Sequence, residues 1–368
     1  MKICHICSYF DNILFSDLFE ALQKQEIDGR VYYFKANGYP PTNADHPYVD
    51  LRYCFEDHQK YLFHWKHSKV WNDFKQYGST QTFDLLFAHS LFSNGYIAYK
   101  WKKEKNIPYI VYVQNTDINV FFKYRLFLRK LGLTILEHAD RVVFASESYR
   151  TTLFQQYVKS KRQREQLMKK SVIIPYGIND LFFHKFSKKP KEKRSEIKIL
   201  CVGLICKNKN QITLQKAIEI LRKKGLDASL TLIGKHQNDH IYQSLCNCEF
   251  VRIVEYMSKE ELLKYYRESD VFCLPSLTET FGLVYAEAIS QGLPILYTKG
   301  QGFDCQFPEG TVGYHVNATD PFDIANKIML ICNEPNKYNA CISNAKKFSW
   351  ERIAYDYKVL FNSVIQKQ

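Results

Sequence analysis

Apolar residues along this chain fall into two alternating arrangements. Short, continuous apolar runs are separated by longer stretches in which apolar positions recur at three- and four-residue spacing. The continuous runs predict strands buried on both faces, as in a parallel sheet. The longer stretches predict the helices that cover it. In the first half the runs lie at Lys2–Cys7, Arg30–Phe34, Phe83–Ala88, Tyr109–Val113, Arg141–Ala145 and Ser171–Pro175, with helical patterns such as Leu14–Gln25 and Ser93–Lys105. The alternation then stops. Lys185–Glu196, KFSKKPKEKRSE, is charged, contains Pro190 and has no apolar period, so it reads as an interdomain linker. Afterwards the pattern resumes, with strands at Lys198–Val202, Ser229–Ile233, Val271–Pro275 and Pro294–Thr298. Helices are expected at Ile212–Lys224, Lys259–Glu268 and Gly282–Gln291, and Trp350–Val364 closes the chain as one more amphipathic helix.

Two successive doubly wound α/β units are therefore expected, with ligands at the carboxyl ends of their strands and a cleft between them. The pattern divides the chain into residues 1–185, a linker at 186–196, and residues 197–350, followed by the closing helix. The 368 residues suffice for two cores at roughly 100–200 residues per domain. A hydrophobic fraction of 46% excludes a mostly disordered chain. No apolar run approaches the ~20 residues that span a bilayer. MKICHICSYF has no apolar core followed by a small-residue cleavage site, so a cytoplasmic location is expected. Cys4 and Cys7 have redox spacing, but both fall in the first strand pattern, whereas a redox pair opens a helix; they read as small hydrophobes.

The formal net charge is +13. Residues 121–170 concentrate it, with 12 Lys and Arg against 4 Asp and Glu. A nucleic acid, an anionic membrane surface or a phosphorylated substrate would each suit such a patch. Nothing follows an RRM, KH or helix-turn-helix pattern, which argues against a nucleic-acid binder. There is no GxxxxGK[ST], no H-E-x-x-H and no Asp-x-Asp, so neither a P-loop nor a metal centre is expected. Asn119–Leu136 mixes Phe, Leu and Tyr with Lys123, Arg125, Arg129 and Lys130 at near-helical spacing. That reads as an amphipathic helix able to lie on an anionic membrane.

The densest chemistry lies in Pro275–Leu296, PSLTETFGLVYAEAISQGLPIL. A buried strand ends at Pro275, a loop carries Glu279 and Phe281-Gly282, and a helix carries Glu287. Gly282 lets the backbone approach a ligand, the helix start offers free N–H groups to an anion, and Glu287 can accept from a ribose diol.

This string resembles the C-terminal signature of retaining glycosyltransferase family 4, enzymes of the GT-B fold. The family pattern is E-x7-E with F-G after the first Glu, then A-x-x-x-G-x-P. Here these are Glu279, Phe281, Gly282, Glu287, Ala288, Gly292 and Pro294. Ile199–Leu221 resembles the family's first strand, loop and helix of the second domain, which places the diphosphate-binding lysine at Lys209. Leu204 stands where the family usually has Arg, and Lys207 is the nearby alternative. VIIPYGIND (Val172–Asp180) resembles the interdomain I-P-N-G-I-D, with Tyr176 in place of Asn. IVYVQNTD (Ile110–Asp117) falls where V-T-V-H-G-x-D is common, so Gln114 replaces the His while Asp117 is kept. Leu85–His89 with Ser93–Tyr99 resembles the strand and G-Y-I-A helix, and Phe348–Phe361 the closing helix that crosses back onto the first domain, which implies that residues 351–368 join residues 1–185.

The resemblance implies two Rossmann-like domains and retaining, metal-independent transfer of a sugar from a UDP- or GDP-linked donor, with no further cofactor. It implies Glu279, Lys209, Gln114 and Asp117 as catalytic groups. Donor binding falls to Lys209, Glu279, Phe281, Gly282, Leu283 and Glu287. His89 joins the four basic residues on the acceptor side. The implied acceptor is a saccharide, often lipid-linked, in cell-surface polysaccharide or lipopolysaccharide assembly at the inner face of the plasma membrane. The changes at Leu204 and Gln114 keep a catalytically impaired sugar-nucleotide binder as the alternative.

Overall fold

The computed structural model describes residues 1–40, 45–184 and 196–366. The chain divides into two compact units. One comprises Met1–Ala145, Tyr149–Tyr176 and the segment from Trp350 onward; the other comprises Ser146–Ser148 and Gly177–Ser349.

The first unit is built on a seven-stranded sheet. Its strands are β1 (Lys2–Ile6), β2 (Asp28–Ala36), β3 (Val49–Phe55), β4 (Leu85–Ala88), β5 (Tyr109–Val113), β6 (Arg141–Phe144) and β7 (Ser171–Ile173). They run in the order β3-β2-β1-β4-β5-β6-β7, and every neighbouring pair is parallel. The second unit has six strands: β8 (Glu196–Val202), β9 (Asp227–Ile233), β10 (Val251–Val254), β11 (Val271–Leu274), β12 (Ile295–Thr298) and β13 (Gly313–Val316). Their order is β10-β9-β8-β11-β12-β13, again all parallel. In both sheets the winding direction reverses beside the first strand, at β1/β4 and at β8/β11, the switch point of a doubly wound fold. The α/β expectation thus holds for each unit.

The central strands are the continuous apolar runs. β4 (LLFA), β5 (YIVYV) and β11 (VFCL) are buried at every position, because helices cover both faces. Cys4 and Cys7 are buried, and burial pushes both thiols up, that of Cys7 to about 12.

Two elements of the first unit escape the pattern. Edge strand β3 reads VDLRYCF, and ion pairs anchor it rather than an apolar run. Arg30 makes a bidentate pair with Asp50 at 2.6 and 2.8 Å, Tyr77 donates to Asp50, and Arg52 pairs with Asp73. Helix Phe63–Ser79 buries Phe63, His67, Val70, Trp71, Phe74 and Tyr77, but Lys and His between them dilute the period.

The basic stretch Asn119–Leu136 is not one helix, which corrects the expectation. A wide π-type turn covers Asp117–Phe122, the chain breaks at Arg125, a 3-10 turn covers Leu126–Leu128, and helix Arg129–His138 follows. The break leaves Lys123, Tyr124, Arg125, Leu126 and Phe127 consecutively exposed. Arg129 does not join them. Its guanidinium donates to the carbonyl of Phe122 at 2.6 Å and stacks on Tyr157, finishing the turn that an unbroken helix would have satisfied itself.

The first unit ends at Tyr176, earlier than the 185 boundary. The turn Asp180–Phe183 belongs to the second unit: Phe182 is buried, accepts from Gln291 Nε2 through its carbonyl at 2.8 Å, and packs on Tyr266. Residues 185–195 of the expected linker lie outside the described residues, and Glu196 opens β8. Helix Trp350–Ile365 rejoins the first unit. It buries Ile353, Tyr357, Leu360, Phe361 and Val364 against helix Ile13–Lys24 and Phe87.

Candidate active site

In the second unit, the carboxyl ends of β8 and β11 bring together the two stretches that carry the motif. After β11, the loop Pro275–Gly282 is fastened from the opposite loop. Asn208 Nδ2 donates to the carbonyl of Thr278 at 2.9 Å, and its Oδ1 accepts from Thr278 N at 3.1 Å. Asn210, with φ of +57°, donates to the carbonyls of Pro275 and Ala318. Between these clasps, Lys209 Nζ meets Glu279 Oε2 at 2.5 Å, and Ser276 Oγ donates to the same oxygen at 3.2 Å. Gln301 Oε1 accepts from Glu279 N, and Glu279 O accepts from Gly302 N. A Cβ at Gly302 would lie 1.7 Å from the Thr280 carbonyl, so only glycine lets these two segments close on each other.

Gly282, at φ +76°, turns the chain into helix Leu283–Ser290. Tyr285 N already donates to the Gly282 carbonyl at 2.9 Å, which leaves the amides of Leu283 and Val284 as the open ones at the helix start, and Tyr285 Oη ties the helix to β11 through the Leu274 carbonyl at 2.6 Å. Phe281 is buried against Phe303 and Phe348, so its ring is core and only its backbone can serve a ligand. Glu287 lies behind the loop and is 7% exposed. Its Oε2 accepts from Tyr266 Oη at 2.9 Å, and among the described residues its Oε1 has no hydrogen-bond partner. Burial pushes the Glu287 carboxyl up and holds the Tyr266 phenol protonated, so the phenol donates. The sequence thus brings Lys209, Glu279, Gly282, Leu283 and Glu287 into one unit. It missed Ser276, Asn208, Gln301 and Tyr266. Asn208 and Asn210 were findable as turn residues flanking Lys209; Tyr266 sits in a helix without any motif. Leu204, after Gly203, is 39% exposed and supplies no charge.

The three first-unit residues are held by partners in their own unit. Asp117 is 1% exposed and accepts backbone N–H bonds from Leu91 (2.9 Å), Phe92 (3.2 Å) and Gln114 (2.8 Å). Burial nevertheless pushes its carboxyl up to about 6. The Gln114 amide is occupied at both ends: Nε2 donates to the His89 carbonyl at 2.9 Å and Oε1 accepts from Tyr176 Oη at 2.7 Å. Both residues therefore position the loops after β4 and β5. His89 is buried in a pair with His5, Nε2 to Nδ1 at 3.0 Å, and burial pushes both imidazoles down, that of His5 to about 3. Neutral and enclosed, His89 is no surface group for an acceptor.

Comparison with known proteins agrees with the fold. A family model described as "Glycosyl transferases group 1" matches residues 182–348, and one described as "Glycosyltransferase Family 4" matches residues 13–179. The D-inositol 3-phosphate glycosyltransferase of Corynebacterium kroppenstedtii is 25% identical over 63% of this chain. The chain spans little more than half of that relative, 55% of its length. The alpha-monoglucosyldiacylglycerol synthase of Acholeplasma laidlawii is 24% identical over 77% of this chain and 76% of its own length. Among solved structures, Anabaena HepE superposes with a TM-score of 0.72 in its UDP complex and 0.68 in its UDP-glucose complex, at 15% identity, covering 99% of this chain and 100% of that one.

Proposed function

The chain belongs to the family 4, group 1 glycosyltransferases, and from that premise we propose that it moves a sugar, with retention and without a metal, from a UDP- or GDP-linked donor to a saccharide acceptor. The observation that carries this is the Lys209–Glu279 pair, fixed beside the open amides of helix Leu283–Ser290 with Glu287 behind it. As the glycosidic bond to the donor breaks, charge grows on the departing diphosphate. Lys209 and the helix amides meet that charge with donors already in place. Glu287, steadied by Tyr266, offers Oε1 to a ribose diol. Glu279 orients the Lys209 ammonium and the backbone from Phe281 to Leu283 orients the sugar. Lys207, exposed on the same loop, is the further cation that could compensate for Leu204.

The acceptor we favour is a lipid-linked saccharide in cell-surface polysaccharide or lipopolysaccharide assembly, met at the inner face of the plasma membrane. The exposed run Lys123–Phe127 supports that choice, as does a relative named for diacylglycerol. Leu204 favours one alternative, a binder of sugar nucleotides with impaired turnover.

A thermal-shift panel of UDP-, GDP- and ADP-sugars tests the donor. A ligand at 100 times its Kd should stabilise by about 2.7 kcal/mol; silence from every donor sinks the proposal. NMR of the product's anomeric configuration decides retention, and turnover above that of a Lys209→Met control separates enzyme from binder. Glu287→Gln should weaken nucleotide binding roughly 10- to 100-fold, the worth of one charged hydrogen bond, with no loss of Tm because it removes a buried charge. Calorimetry showing unchanged affinity would take Glu287 out of the site.

A further inference from the structure

Tyr176 and Gln114, 62 residues apart in sequence, are joined by one 2.7 Å hydrogen bond. Tyr176 is also the last residue of the first unit before the chain passes into the second, and Trp350 is the first after it returns. Both line one small cavity of the first unit, together with His89, Gln114 and Tyr357. Past the crossing, Ile178 N donates to the Phe348 carbonyl at 2.9 Å, and Ile178 bridges Ser349, so the outgoing and returning segments run side by side.

We propose that Gln114 and Tyr176 act as one positioning pair that fixes where the chain leaves the first unit. Gln114 is suited to the part because it is held on three sides. Its backbone N–H is tied to Asp117, its Nε2 to the His89 carbonyl, and its Oε1 to Tyr176. A side chain so held cannot turn to a substrate, but it transmits the position of the β4 and β5 loops to residue 176. Tyr176 receives that position with a rigid ring that packs on Tyr112 at 5.5 Å. An asparagine at 176 would be too short to keep both the ring contact and the bond.

Hydrogen exchange on the full chain tests this without any substrate. The Ile178 amide reports directly on the crossing. Tyr176→Phe removes only the hydroxyl, and Gln114→Ala removes its acceptor. Each should speed exchange at Ile178 at least tenfold, and the double variant should be no faster than the faster single. Unchanged exchange in either single variant, or a double effect equal to the product of the singles, overturns the pair.

A kinetic arm rests on the sugar-transfer reading and uses UDP-glucose hydrolysis with UDP calorimetry. The variants should lower kcat about tenfold while the UDP Kd stays within twofold, because Lys209 and Glu287 are in the other unit. A UDP Kd that weakens by the same factor as kcat would mean general damage and would overturn the positioning role. Absence of UDP-glucose turnover in the wild type would count against the sugar-transfer reading alone, and the exchange result would still decide the pair.

Discussion

Lys209 and Glu279 show how burial changes the meaning of a residue that the sequence picked out. A lysine in a loop suggests a surface cation of little consequence for stability. In the structure its side chain is 22% exposed and that of Glu279 only 11%. Lys209→Met should then do two things: lower turnover by roughly 10²–10³ for the lost leaving-group donor, and cost roughly 1.5–3 kcal/mol by removing the charged partner of a half-buried carboxylate that keeps Ser276. Adding Glu279→Gln should restore most of the stability and none of the turnover, as urea unfolding and steady-state rates can show. Recovery of turnover in the double variant would exclude Lys209 from catalysis. Asp117 gives a second test. Its carboxyl sits at about 6, above its ordinary value of 3.8, so the folded chain binds a proton that the unfolded chain releases. Stability from this group is therefore greatest at low pH and falls as pH rises from about 4 to about 6. At about 1.4 kcal/mol per pH unit, wild type should lose roughly 3 kcal/mol more than Asp117→Asn over that range; parallel curves for the two would show that Asp117 does not titrate there. Spacing alone showed that Glu279, Gly282 and Glu287 share one loop and helix, because strand, glycine and helix fix their order. It could not show that Asp117 and Gln114 are consumed by backbone and side-chain partners from β4 and β7, since those partners are distant in sequence.

Elements were legible where one force dominated. Tyr109–Val113, Ser93–Lys105 and Lys259–Glu268 agree with the structure to the residue, since continuous burial or a clean helical period marks them. Edge strand β3 and helix Phe63–Ser79 were not, because ion pairs and buried histidine replace apolar positions there. The broken segment 119–136 is the most informative case. As a single helix it would bury one face; broken, it presents Tyr124, Leu126 and Phe127 at 67%, 63% and 66% exposure, flanked by Lys123, Arg125 and Lys130. A second exposed group, Tyr61, Leu62 and Trp65, lies close by, since Phe63 between them packs on Phe121 with ring centroids 6.2 Å apart. Aromatic rings beside cations suit the headgroup level of an anionic bilayer. Three free cations at about 1 kcal/mol each give about 3 kcal/mol, lost at high salt. The protein should co-sediment with anionic liposomes at low salt, release at high salt, and ignore neutral ones. Replacing Lys123, Arg125 and Lys130 by Gln, or Tyr124, Leu126 and Phe127 by Ser, should abolish sedimentation. Arg129→Gln should instead lower Tm and leave lipid binding intact, because that guanidinium holds the Phe122 carbonyl. Undiminished sedimentation of the Gln variant would remove the membrane from the proposal.

At the scale of the molecule, the chain is two units, each on its own parallel sheet, and the chemistry is unevenly divided between them. Every residue proposed to touch the donor, from Lys209 to Glu287, is in the second unit, while all four tryptophans, Trp65, Trp71, Trp101 and Trp350, are in the first. Tryptophan emission therefore reports unfolding of the unit that does not bind nucleotide, and far-ultraviolet circular dichroism reports both. Ligand stabilises only the state that holds its site, and two units with separate sheets are expected to unfold as separate cooperative bodies. UDP at 100 times its Kd adds about 2.7 kcal/mol to the second unit. At about 2–4 °C per kcal/mol for a body of 150–250 residues, its transition should rise by roughly 5–11 °C. The emission transition should move by less than about 2 °C. The dichroism curve should accordingly separate into two steps with UDP or widen the gap between steps already present. Glu287→Gln should shrink that separation at equal UDP, because the weaker ligand adds less free energy to the same unit. Tyr176→Phe should leave it intact, since the lost hydroxyl belongs to the first unit. An emission transition that climbs in step with dichroism would show one cooperative body, and the assignment of donor binding to the second unit alone would then need the Lys209 and Glu287 variants to carry it.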